Sequence, residues 1–222
     1  MLLAIDTSTR TVGVALYDGL QVVGEVTWQS RNYHTVELGP AVDQILDRAR
    51  IPILTLRVLG VAIGPGSFTG LRIGLAFAKG LAFSLQLPIV GIPTLDALAA
   101  AQPLSDVPMA AVMQAGRKRL AVGWYQNEAG KWESDGSLEN ITIEDFAKRI
   151  KTPTYICGEL SQEARSRLGR KYKNVRLAPP AQSLRRPAFL AELAWERWQV
   201  GQTDDPAVLS PIYLHHGTPI PE

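Results

Sequence analysis

The stretch from Val58 to Leu85 constrains the fold more than any other. An apolar run, Val58 to Ile63, passes into Gly64-Pro65-Gly66-Ser67-Phe68-Thr69-Gly70 and then into a long, nearly uncharged segment ending at Leu85. That order predicts a strand, a Gly/Pro turn, and a helix over 70–85 that opens near Ser67 or Thr69. Its only charges are Arg72 and Lys79, and a helix apolar all round is normally covered on two faces. At 100° per residue, Ile73, Phe77, Gly80, Leu81 and Ser84 fall on one side, and Leu71, Gly74, Leu75, Ala78 and Ala82 on the other. The first set carries the bulk expected of a side packed on the chain's own sheet. On the second, Gly70, Gly74, Ala78 and Ala82 recur every four residues and leave a surface that another backbone can approach closely. Either both faces are buried in one large domain, or a second chain covers the smooth one.

Hydrophobic periodicity orders the rest of the chain. Strands are predicted over 2–5, 11–17 and 21–28, the last two joined by the Asp18-Gly19 turn, then an amphipathic helix over 35–50 with Pro40 tolerated in its first turn. After the helix over 70–85 come a strand over 88–92 and a short helix capped by Thr94. Gln102-Pro103-Leu104-Ser105-Asp106 is a polar break, and the pattern then restarts. Strands over 109–113, 120–125 and 131–134 precede a helix over 142–150, a strand over 154–157, a helix over 161–168, a strand over 175–177 and a closing helix over 187–200. Two successive β-β-β-α-β-α units predict an α/β chain with the duplicated, two-lobed ribonuclease-H-like fold of actin and the sugar kinases. The expected lobes are residues 1–102 and 103–222, the second ending in an extended tail. Fold alone does not license an activity.

Composition narrows the functional classes. A net charge of +2 over 222 residues exerts no general pull on nucleic acid or membrane, so any RNA contact must come from a local patch or a partner. The single cysteine, Cys157, excludes an internal disulfide framework and reads as a small buried hydrophobe. Met1-Leu2-Leu3-Ala4-Ile5 meets Asp6 before an apolar signal region forms, so no signal peptide is expected. The apolar run from Leu71 to Leu87 is broken by Arg72, Lys79 and glycines, and is expected to fall short of a membrane span. A cytoplasmic protein is the default.

Few residues are equipped for chemistry. Asp6-Thr7-Ser8-Thr9 stands where the actin-like superfamily holds its first phosphate loop, and supplies a carboxylate for hydrated Mg²⁺ and hydroxyls for phosphate. No glycine follows Asp6, and hydrogen-bonded turns account for the same residues. In the second half, Gln114-Ala115-Gly116 replaces the mirrored Asp loop, and nothing after Thr152 resembles an adenine cradle. Gly64 to Gly70 lacks a P-loop's lysine, since Leu71 follows the last glycine. A helix N-terminus there still offers N–H groups to an anion. His34 and Glu37 fall on one helical turn without a third metal ligand nearby, and His215-His216 lies in the tail. Arg117-Lys118-Arg119 with Trp124 and Tyr125 fits either an RNA contact or a solvated hairpin turn. A small-molecule kinase or ATPase using Asp6 and Thr9 is therefore one reading, and a metallopeptidase lacks ligands.

Ala4-Ile5-Asp6-Thr7-Ser8, His34-Thr35 with Leu38 and Pro40, and above all Gly64-Pro65-Gly66-Ser67-Phe68-Thr69-Gly70-Leu71-Arg72-Ile73-Gly74 closely resemble the TsaB family, also called YeaZ. The resemblance is dense over residues 2–99 and thin afterwards, although Pro211-Ile212-Tyr213-Leu214 is similar to the family's C-terminal signature. It implies a non-catalytic subunit that pairs with TsaD, a paralogue that transfers threonylcarbamoyl to the adenosine beside the tRNA anticodon. TsaE, an ATPase, is implied as a third partner, tRNA is met through the complex, and the chain is expected to homodimerise when alone. ATP or ADP with Mg²⁺ is implied only weakly or at the shared interface, with Asp6, Thr7, Ser8 and Thr9 a vestigial phosphate loop. The family pairs its first two helices as a bundle, which implies interface helices over 35–50 and 70–85. The implied contacts are Leu38, Val42, Ile45, Leu46, Gly70, Leu71, Arg72, Gly74, Leu75, Ala78, Lys79 and Ala82. TsaD's metal histidines do not carry over, and Gln114-Ala115-Gly116 departs from the family's Asp-Ala-Arg segment.

Overall fold

The computed structural model describes residues 1–214 apart from Asn32, Arg117, Lys118 and Tyr172. The first sheet is built from β1 (Leu2–Asp6), β2 (Thr11–Tyr17), β3 (Val22–Gln29), β4 (Val58–Gly64) and β5 (Ile89–Pro93). Its order is β3-β2-β1-β4-β5, with β1 antiparallel to β2 and parallel to β4. α1 (His34–Ala49) links β3 to β4, α2 (Phe68–Leu85) links β4 to β5, and α3 (Thr94–Ala100) follows. The second sheet repeats the plan with β6 (Met109–Gln114), β7 (Arg119–Glu128), β8 (Lys131–Thr142), β9 (Thr154–Gly158) and β10 (Val175–Leu177). Its order is β8-β7-β6-β9-β10, again with the first two pairings antiparallel and the others parallel. α4 (Ile143–Arg149) and α5 (Gln162–Lys171) occupy the places of α1 and α2, and α6 (Pro187–Gln199) closes the chain. The fold is the duplicated ribonuclease-H-like one.

Every residue of β1 is buried because the first sheet is covered on both faces. On one face, Leu3, Ile5, Val14, Leu16, Leu59 and Val61 pack with Leu38, Val42, Ile45 and Leu46 of α1 and with Leu75, Ala78 and Ala82 of α2. On the other, Leu2, Ala4, Ala15, Val58 and Ala62 pack with Leu190, Ala191 and Ala194 of α6. A division at residue 102 is therefore corrected. Contacts place 1–97 together with 185–212 in one unit, and 98–184 with 213–214 in the other. The back of the first sheet needs an apolar cover, and the closing helix supplies it.

Local departures have plain causes. Ser67 caps α2 by accepting the Gly70 N–H, so the helix opens one turn into the Gly/Pro segment. Pro40 falls in the second turn of α1 rather than the first, on its exposed side. β8 runs eight residues past Ser134 because its pairing with β7 resumes at Leu138, after an irregularity at Asp135, Gly136 and Ser137. Thr94 opens α3, but its hydroxyl bonds to Ser8 and Gly64.

Candidate functional site

The motifs at 6–9, 34–37 and 64–74 converge at the carboxyl ends of β1 and β4, where open α/β sheets hold ligands. Thr7 donates its hydroxyl to the Gly70 carbonyl at 2.8 Å, and Ser67 donates its N–H to the Ser8 carbonyl at 2.6 Å. Ser8 Oγ and Thr94 Oγ1 share a hydrogen bond of 2.8 Å. His34 Nε2 lies 2.9 Å from the Thr9 carbonyl oxygen, and Glu37 accepts the Trp28 indole N–H at 3.0 Å. That indole, followed by Ser30, holds the Glu37 carboxyl below the usual carboxylate range. His34 and Glu37 are thus engaged with the protein itself. Among the described residues no three His, Cys, Asp or Glu side chains gather as a metal site.

Asp6 has been claimed from within. Its Oδ1 accepts the Ser8 N–H at 2.8 Å, and its Oδ2 accepts Nε–H of Arg185 at 2.8 Å, with Asp6 4% and Arg185 2% exposed. The same guanidinium donates to Thr9 Oγ1 at 2.9 Å and to the Thr11 carbonyl at 3.0 Å. A phosphate loop needs a carboxylate and hydroxyls turned toward solvent and metal. Here a guanidinium fills that position, and a buried charge pair of this geometry is costly to break. The structure gathers Asp6, Thr7, Ser8 and Thr9 as expected, but commits them to holding the turn at 64–70 and the start of α6. Arg185 escapes sequence reasoning because 179 positions separate it from Asp6. Its one local mark is the Arg185-Arg186 pair before Pro187 at the first turn of α6.

The two faces of α2 are the reverse of the expectation. Gly70, Leu71, Gly74, Leu75, Ala78 and Ala82, the residues implied to meet a partner, are buried against the chain's own sheet and Asp6 loop. A Cβ on Gly70 would overlap the Thr7 carbonyl oxygen, and one on Gly74 the Thr7 hydroxyl. The small residues let the helix lie on its own loop, not on another chain. Leu38, Val42, Ile45 and Leu46 of α1 are likewise core residues. Turning a leucine of this kind outward would forfeit about 2 kcal/mol, so the sheet claims the inner faces. Of the implied contacts, only Arg72 is exposed and Lys79 half-exposed.

The bulky side of α2 is the more exposed one. Phe68 is 57% and Phe83 80% exposed, Ala76 and Gly80 are exposed, and Ile73, Phe77 and Leu81 are half-buried. Arg72 lies over the Phe68 ring, 5.0 Å from its centroid. Beside this side, a groove of about 330 Å³ runs between α1, α2 and the 3₁₀ turn Ile53–Thr55. Phe77, Leu81, Ile51 and Ile53 are among its apolar lining residues, and Asp43 and Asp47 line it from α1. α2 also reaches the length and hydropathy of a membrane span, contrary to expectation, at 18 residues and a mean hydropathy of 1.2. Its inner face is nevertheless docked on the first sheet.

In the second unit, Cys157 is buried with its Sγ 3.7 Å from Met109 Sδ, and burial pushes its thiol up to about 12. It is a core residue. Gln114 ends β6 with an exposed side chain. Arg117-Lys118 and His215-His216, considered above for RNA and metal contacts, lie outside the described residues.

A family model described as TsaD, tRNA N6-adenosine threonylcarbamoyltransferase, matches residues 21–173. The tRNA threonylcarbamoyladenosine biosynthesis protein TsaB of Bacillus subtilis is 35% identical over 150 residues, 68% of this chain and 66% of that protein. The protein of the same name from Buchnera aphidicola subsp. Schizaphis graminum is 30% identical over 81% of this chain and 88% of its own length. Among solved structures, YeaZ from Pseudomonas aeruginosa superposes with a TM-score of 0.80 at 27% identity, covering 96% of this chain and 99% of that one. Together with the duplicated fold and the turn at 64–74, these likenesses show that the chain belongs to the TsaB (YeaZ) family, within the group that the TsaD model describes.

Proposed function

We propose that this chain is a subunit of tRNA threonylcarbamoyladenosine synthesis that pairs with a TsaD-like transferase and carries out no bond chemistry itself. The observation that carries this reading is the outer side of α2: two phenylalanines more than half exposed, beside a groove that Phe77 and Leu81 line and α1 borders. Apolar surface gathered in this way on a soluble chain marks an interaction site. A partner's helices would lie along α1 and α2, over Ala76 and Gly80, with Phe77 and Leu81 at the centre. In the transferase's absence the same side joins two copies of this chain, and the complex brings it to a TsaE-like ATPase and to tRNA. That role belongs in the cytoplasm. The kinase reading is not carried forward, because the carboxylate it needs, Asp6, is engaged by Arg185.

Gly80→Glu tests the docking side, since a Cβ at Gly80 meets nothing within 4 Å. The variant is expected to fold at least as well as the parent and to lose co-purification with the transferase subunit. Retention of the subunit at the parent's level would overturn the assignment.

A further inference from the structure

Charge in this chain is unevenly spread. Residues 143–176 hold nine Lys or Arg against four Asp or Glu, a net +5 in a chain whose total is +2. We propose that the surface where α4 and α5 end is a contact for the phosphate backbone of a folded RNA, a reading that rests on the tRNA role above and adds direct contact to it.

The fold gathers the cations. α4 and α5 lead into the parallel strands β9 and β10, whose first residues, Thr154 and Val175, are paired. The connections into those strands touch: Asn174 donates its side-chain N–H to the Lys151 carbonyl at 2.7 Å, and Thr154 donates its N–H to the Asn174 carbonyl at 2.8 Å. Lys151 and Lys173 therefore stand on adjacent connections, with Arg170 in the last turn of α5, and all three are exposed. The carboxylates nearby serve other cations. Asp145 pairs with Lys148, Glu144 with Arg167, and Glu139 with Arg149, while Arg165 donates to the Ala178 carbonyl. Arg176, the last of the nine, points to the other side of the sheet from Val175 and Leu177, which pack in the core, and stands apart from this surface.

The composition favours phosphate over lipid. None of the large exposed hydrophobic residues among the described ones falls within 143–176, and Ala164 and Leu168, the apolar residues of α5, are buried. A helix that lies in a membrane surface needs an exposed apolar face. Basic residues at helix ends also complement the helix dipole, which accounts for Lys148 and Arg170. Lys151 and Lys173 lie beyond the helices, where that account does not reach.

The test is fluorescence anisotropy of a labelled, folded tRNA transcript with the full chain across about 50 to 200 mM salt, comparing the parent with Lys151→Glu/Arg170→Glu/Lys173→Glu. The triple variant is expected to bind at least about tenfold more weakly, with the slope of log affinity on log salt reduced by about 2 to 3. Thermal melts in parallel should match, since the charges are exposed. Unchanged affinity and slope would overturn the proposal. So would a charge-dependent affinity for polyglutamate, or for vesicles with one-third phosphatidylserine, that equals the affinity for tRNA. Capture of the transferase is measured on the same samples. A parent chain that binds tRNA through these residues but captures no transferase would overturn the pairing reading and leave the RNA surface standing.

Discussion

The two sides of α2 use small residues for opposite ends. Inside, Gly70 and Gly74 are where the helix meets the Asp6–Thr9 loop, with no space for a methyl group. Outside, Gly80 stands in the open among Ala76, Phe77 and Phe83, and a side chain added there touches nothing of its own chain. Both faces are apolar on a helical wheel. They differ in what confronts them, which is a fixed backbone on one side and solvent on the other.

That contrast can be broken at three strengths. Gly74→Leu should have the largest effect, abolishing folding or costing more than about 4 kcal/mol, because the new side chain has to displace Thr7. A circular-dichroism melt like the parent's would mean that Thr7 and Gly74 are not in contact. Arg185→Ala acts behind the same inner face and leaves the Asp6 carboxylate buried without its partner, at a cost of about 3 kcal/mol or more. A urea midpoint showing less than about 1 kcal/mol would mean that water reaches Asp6. Gly80→Ala, on the outer face, should raise stability by up to about 1 kcal/mol by restoring helix propensity. A loss of stability there would place something of the chain itself over Gly80.

The elements were legible because each carries its own periodicity or punctuation. β1 reads as an unbroken apolar run, α1 as a stripe of Leu38, Val42, Ile45 and Leu46, and α2 as a segment launched near Ser67 or Thr69. What was not legible lies between elements. With apolar residues on both sides of α2, bulk suggested that Phe77 and Leu81 face the sheet, whereas close approach to Thr7 demanded Gly70 and Gly74 there. The resemblance implies an interface on α1 and α2 but does not separate their inner from their outer residues. The pairing of Asp6 with Arg185 has no local spacing to betray it. Chain order likewise assigned α6 to the second half, although its Leu190, Ala191 and Ala194 complete the first core.

The return of α6 bears on how the polypeptide is made. Residues 98–184 interrupt a unit whose other pieces are 1–97 and 185–212. On the ribosome, the first sheet emerges with one face covered by α1 and α2 and the other bare until Pro187–Gln199 follows. The core of the second unit lies wholly within residues 98–184 and can close earlier. The part made first is therefore finished last, since Leu2, Ala4 and Val58 find their cover in α6 only once that helix has been made.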